Sequence, residues 1–79
     1  MPKYIDAHPM KPFTADILRR LQKAPKDEFG VVHDNILFNE EENRIYCVLD
    51  APNIDAINKH HEKAGVRCEW IHEVKSARQ

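Results

Sequence analysis

Residues 31–50, Val-Val-His-Asp-Asn-Ile-Leu-Phe-Asn-Glu-Glu-Glu-Asn-Arg-Ile-Tyr-Cys-Val-Leu-Asp, decide the fold. Val31 to Phe38 reads as a strand, and the tight acidic turn Asn39 to Asn43 follows it. Arg44 to Asp50 then alternates Ile45, Cys47 and Leu49 against Tyr46 and Val48, so the segment is a β-hairpin. Working outward from it, each flank repeats one strand and one helix. Upstream, Lys3 to His8 alternates Ile5 and Ala7 against Tyr4, Asp6 and His8, which predicts a half-buried strand. Pro9 and Pro12 bracket a loop, and Thr14 caps a helix with the stripe Ile17, Leu18, Leu21 that ends before Pro25. Downstream, Ala51-Pro52-Asn53 caps a second helix with the stripe Ile54, Ile57, His61, Ala64, and Gly65 stops it. Glu69 to Val74 is the last strand, and residues 76–79 are expected to form a frayed tail.

The order β-α-β-β-α-β is the split βαβ arrangement. The fold class expected is therefore α+β, ferredoxin-like. A four-stranded antiparallel sheet has strands one and three in the centre and both helices on one face. A chain of 79 residues with 42 % hydrophobic residues builds one domain, 1–79, with a small core. Chains of this size often gain stability from a second subunit. No apolar run spans a membrane, and residues 1–6 lack the apolar stretch of a secretory signal, so a cytoplasmic location is expected. Net charge is −1, from 12 basic and 13 acidic residues that are interspersed, so no basic stripe suits nucleic acid. With two cysteines there is no disulfide framework.

The chemistry lies in the five histidines, at positions 8, 33, 60, 61 and 72. Imidazole is the commonest protein metal ligand, and Asp6, Asp34, Glu62 and Glu73 stand within two positions of four of them. The topology groups side chains that are far apart in sequence. His8, His60, His61 and Cys68 are expected at one end of the sheet, and His33, Asp50, His72 and Glu73 at the other. Asp6-x-His8 places a carboxylate and an imidazole on one side of a strand, roughly 6.5–7 Å apart at Cα. His60 and His61 point about 100° apart on a helix, so one ion rarely takes both. His61, at the core edge, is the better ligand. Cys47 shares a face with Ile45 and Leu49 and is expected to pack as a small apolar residue. Cys68, at a helix–strand junction, is more accessible. No Cys-x-x-Cys spacing points to a structural zinc site. Mixed imidazole and carboxylate ligands suit a borderline divalent ion such as nickel, copper or zinc. The metal candidates are thus Asp6, His8, His33, Asp50, His61, His72 and Cys68. No nucleophile or Gly-rich phosphate loop is present. An alternative is an enzyme or small-molecule binder of the dimeric α+β-barrel kind. In it Tyr4, Asp6, His8, His33, Tyr46 and Asp50 line the open sheet face and Asp6, His8 or His33 moves a proton.

Four segments taken together carry a resemblance: Lys-Tyr-Ile-Asp-Ala-His at 3–8, Tyr-Cys-Val-Leu-Asp-Ala-Pro at 46–52, His-Glu-Lys-Ala-Gly at 61–65 and Ile-His-Glu-Val at 71–74. In this order they resemble a family of short, single-domain ferredoxin-like proteins described as nickel-binding. One member binds the metal as a dimer, with a suggested role in nickel sequestration. The resemblance implies a nickel ion as cofactor and a homodimer as the assembly. It supports His8 and His61 as metal positions, in a protein that handles metal without turnover.

Overall fold

The computed structural model describes residues 1–78; Gln79, the end of the expected tail, lies outside the described residues. The elements are β1 (Lys3–Pro9), α1 (Ala15–Gln22), β2 (Val32–Asn39), β3 (Arg44–Asp50), α2 (Ile54–Ala64) and β4 (Trp70–Val74). The sheet order is β2-β3-β1-β4, all antiparallel. The hairpin and two crossovers thus place β1 and β3 centrally, as the element order requires.

Local chemistry sets the boundaries. Thr14 accepts from the Ile17 amide at the start of α1, and Asn53 accepts from the Ala56 amide at the start of α2. Gly65 closes α2 with φ 72°, a left-handed conformation that a side chain would oppose. The next amide, Val66, returns to the His61 carbonyl at 2.9 Å and so satisfies a carbonyl of the last turn. In the hairpin turn Asn43 takes φ 55°, and its side chain accepts from the Met10 and Lys11 amides. The turn is thereby tied to the loop after β1.

The core is a single layer between sheet and helices. Ile45, Leu49 and Ile57 are fully buried, and Tyr4, Leu18 and Val31 nearly so. Cross-strand register shows what faces the helices. Tyr4, Asp6 and His8 oppose Leu49, Cys47 and Ile45, so the β1 side carrying Asp6 and His8 lies beneath α1 and α2. This differs from the open-face placement considered in the alternative reading. There the six residues line one surface; in the structure Tyr46 and Asp50 lie on the open face, and Tyr4, Asp6, His8 and His33 on the helix face. Strand alternation defines two sides without saying which side the helices cover. Here they cover the polar one.

One irregularity re-aims a side chain. His33 pairs with Leu49 and Asn35 with Val48, so Asp34 is an extra residue bulged out of β2. Plain alternation back from Ile36 and Phe38 would put His33 on the open face. The bulge turns it beneath the helices, and Asp34 instead meets the Lys3 ammonium at 3.0 Å.

A candidate metal centre beneath the helices

Asp6 is the centre of the site. It is fully buried in the middle of β1, and among the described residues neither carboxylate oxygen has a hydrogen bond of ordinary geometry. The neighbouring polar groups are the thiols of Cys47 and Cys68 and the His61 ring, whose Nε2 lies 3.3 Å from Oδ2. Burial raises the Asp6 carboxyl from its ordinary 3.8 to about 7, with the two cysteines opposing the shift.

Both histidines beside it are oriented by the backbone. His61 Nδ1 donates to the Ile57 carbonyl at 2.8 Å, one helical turn back. His8 Nδ1 donates to the Pro9 carbonyl at 2.9 Å. Each bond leaves Nε2 as the lone-pair atom of a neutral ring, and each Nε2 faces the site. His8 Nε2 is 3.8 Å from Cys47 Sγ, and the two rings lie 5.5 Å apart at their centroids. Burial keeps both rings neutral; it lowers His61 to about 4, against the Ile57 bond, and lowers His8, against the Pro9 bond. Burial and the nearby Asp6 carboxyl raise both thiols, Cys68 to about 12 and Cys47 further.

The donor atoms form two overlapping trios, Asp6–His8–Cys47 and Asp6–His61–Cys68, each with its ligand atoms within 4.8 Å of one another. Four sequence candidates, Asp6, His8, His61 and Cys68, therefore converge. Cys47, expected only to pack, joins them because it is the cross-strand partner of Asp6. That register was the available signal. The other three candidates lie elsewhere. Asp50 is on the open face and paired with Lys3 at 3.0 Å. His72 is on the open face beside Trp70, with ring centroids 5.1 Å apart. His33, expected at the far end of the sheet, instead has its ring 5.2 Å from that of His60. The bulge turns it inward, and a helix rises only about 1.5 Å per residue, so His60 remains within its reach.

The set fits a metal ion. A buried carboxylate with only weak thiol donors nearby and no hydrogen bond of ordinary geometry is costly, and lone pairs of His61 and Asp6 facing each other are repulsive. A proton on Asp6 or a cation relieves both. Two borderline imidazoles and two soft thiols beside one hard carboxylate make a mixed donor set suited to nickel, cobalt, copper or zinc. Outward Nδ1–H bonds to carbonyls are the usual support for metal-bound histidine. A surface groove of about 510 Å³, lined in part by Asp55, Glu62, His61 and Cys68, leads to the second trio.

No curated protein matches the chain. The crystal structure of SCO4226 from Streptomyces coelicolor A3(2) is similar, with a TM-score of 0.76 and 26 % sequence identity over 95 % of this chain and 98 % of that one. Residues 4–74 match the family described as nickel responsive protein SCO4226-like, and with nearly the whole fold included in that match, the chain belongs to this family.

Proposed function

We propose that this protein binds a divalent transition metal, nickel in its physiological setting, and sequesters or passes it on without turnover. The observation that carries the reading is Asp6: a buried, hydrogen-bond-free carboxylate facing an imidazole nitrogen whose tautomer is locked in the lone-pair form. Asp6, His8, His61, Cys47 and Cys68 are the ligands in this reading, drawn upon as one ion requires. The family's description as nickel responsive supports the choice of ion. Acidic Asp55 and Glu62 at the groove favour entry of a cation. Reduced thiols are what a cytoplasmic protein would offer, and among the described residues no helix is long and apolar enough to cross a membrane.

Calorimetry on untagged, metal-free protein is expected to give nickel binding in the micromolar range or tighter, with His8→Ala weakening it. Millimolar binding that His8→Ala leaves unchanged would mean that surface histidines alone are responsible.

The functional unit we propose is a homodimer closed over the open sheet face. That face carries Ile5, Tyr46, Val48 and Val74 with Leu37 and Trp70, which are 49 % and 38 % exposed. These apolar side chains share the face with Lys3, Asn35, Asp50 and His72, and exposed apolar side chains grouped on one sheet face are a mark of an interaction surface. Sedimentation equilibrium is expected to give twice the chain mass, reduced to the chain mass by Trp70→Glu. A monomer in the unmodified protein refutes this assembly.

A further inference from the structure

His33 and His60 stand outside the ligand set and still face it. Both line a cavity of about 120 Å³ between α1, α2 and the sheet. His8, His61 and Cys47 form one wall, and Phe13, Leu18, Leu21 and Ile36 make most of the rest apolar. A protein interior of ordinary density closes such spaces. This one has room for about four water-sized groups at ~30 Å³ each.

The two extra imidazoles differ in how they are fixed. His60 Nδ1 lies 2.5 Å from Asp27 Oδ2, and Asp27 Oδ1 accepts from the Phe29 and Val31 amides at 2.9 Å. Burial opposes charge on Asp27, but the bonds from His60 and the two amides hold the carboxyl below its ordinary range. The ring is thus clamped at Nδ1 and lines the cavity as an oriented wall. The His33 ring has no hydrogen-bond partner among the described residues and sits edge-on to His60, at 62°. The His33 ring can offer one N–H to the cavity that His8 and Cys47 also line, and with apolar side chains around it this would suit a ligand that is polar at both ends and only a few atoms long.

We propose that this cavity is a small-ligand pocket of the metal centre. It would admit a compact anion of about two to four heavy atoms, one end toward an ion held by Asp6, His8 and Cys47 and the other accepting from the His33 N–H. The inference rests on the metal reading above. Its recognition logic is size plus two-ended polarity.

Azide is the probe. Protein loaded with cobalt(II), whose visible spectrum reports changes in its ligands, is titrated with sodium azide, and metal affinity is measured in parallel by competition with a chelating dye. A saturable spectral change is expected. His33→Leu should weaken azide binding about tenfold, the effect of one hydrogen bond to a charged group, and leave metal affinity unchanged. Leu18→Phe, which fills the cavity, should abolish the azide response while metal still binds. Leu21→Phe, at a half-buried position, serves the same purpose should Leu18→Phe fail to fold. A metal-loaded protein indifferent to azide overturns the pocket and leaves the metal centre intact. An azide response equal in all variants also overturns it, placing ligand access at the α2–β4 groove. Absence of metal uptake removes both readings.

Discussion

Asp6→Asn is expected to make the metal-free protein more stable near neutral pH and to remove most of its metal affinity. The carboxyl, normally at 3.8, is raised by burial to about 7. A group raised in this way favours the fold while protonated, so its contribution is complete below about pH 4 and is lost as pH rises through about 7. Three pH units at about 1.4 kcal/mol each set an upper bound of roughly 4 kcal/mol on that loss. Asparagine does not ionise, and its amide can donate to the His61 Nε2 lone pair that Asp6 now faces. Urea denaturation of metal-free protein at about pH 8 should show the variant more stable by about 2–4 kcal/mol, with the difference gone near pH 4. Metal affinity should fall more than about 100-fold, beyond the usual effect of losing an outer-shell partner. Equal stability at the higher pH would show that Asp6 is solvated or satisfied, and the argument for a cation would lose its footing. A stability gain on loss of function is the pattern expected where a site keeps a destabilising residue for its chemistry.

The second large effect is in the pH dependence of metal uptake. The His61 ring, lowered to about 4, is neutral at pH 7, and burial lowers His8 in the same direction, so the imidazoles are not the main source of protons released on binding at neutral pH. The thiols are the reverse, with Cys68 raised to about 12 and Cys47 higher still. Each thiolate that coordinates must therefore lose a proton to solvent, which steepens affinity by about tenfold per pH unit per thiolate. Between about pH 7 and 9 nickel affinity is expected to climb at least tenfold per unit, and more steeply below about pH 7 where Asp6 also releases its proton. A site made of exposed histidines alone would level off above about pH 7. Cys47→Ala and Cys68→Ala, assayed across the same range, should each flatten the curve if that thiol is a ligand. A flat profile in the unmodified protein would exclude thiolate ligation.

Much of the fold is legible from punctuation. Thr14, Asn53 and Gly65 mark helix ends because each supplies a bond or a backbone conformation that few other residues supply as well, and the Asn39–Asn43 turn fixes the hairpin. From the element order the central position of β1 and β3 follows, and so does the meeting of His8, His61 and Cys68 at one end. The face of β1 was less legible. Ile5 and Ala7 are the apolar side, and burying Asp6 and His8 instead is unfavourable unless something compensates, so the local pattern and the structure disagree at the proposed site itself. Cys47 was hidden among apolar neighbours, although pairing β1 with β3 places it opposite Asp6. The Asp27–His60 clamp depends on how a charged loop folds back, which composition does not specify. The turning of His33 depends on a bulge that leaves no mark in residue type.

That bulge has a consequence for comparing this chain with its relatives. Because Asp34 is spare to the ladder, a relative lacking that one residue would keep the same inside–outside parity along β2, whereas a gap anywhere between Ile36 and Phe38 would invert it for the residues on one side. Alignments that slide the gap by two or three columns would therefore equate an inward imidazole in one protein with an outward side chain in another. Whether a homologue shares the polar wall opposite its metal ligands has to be judged from strand pairing, since matching letters in this stretch can mislead.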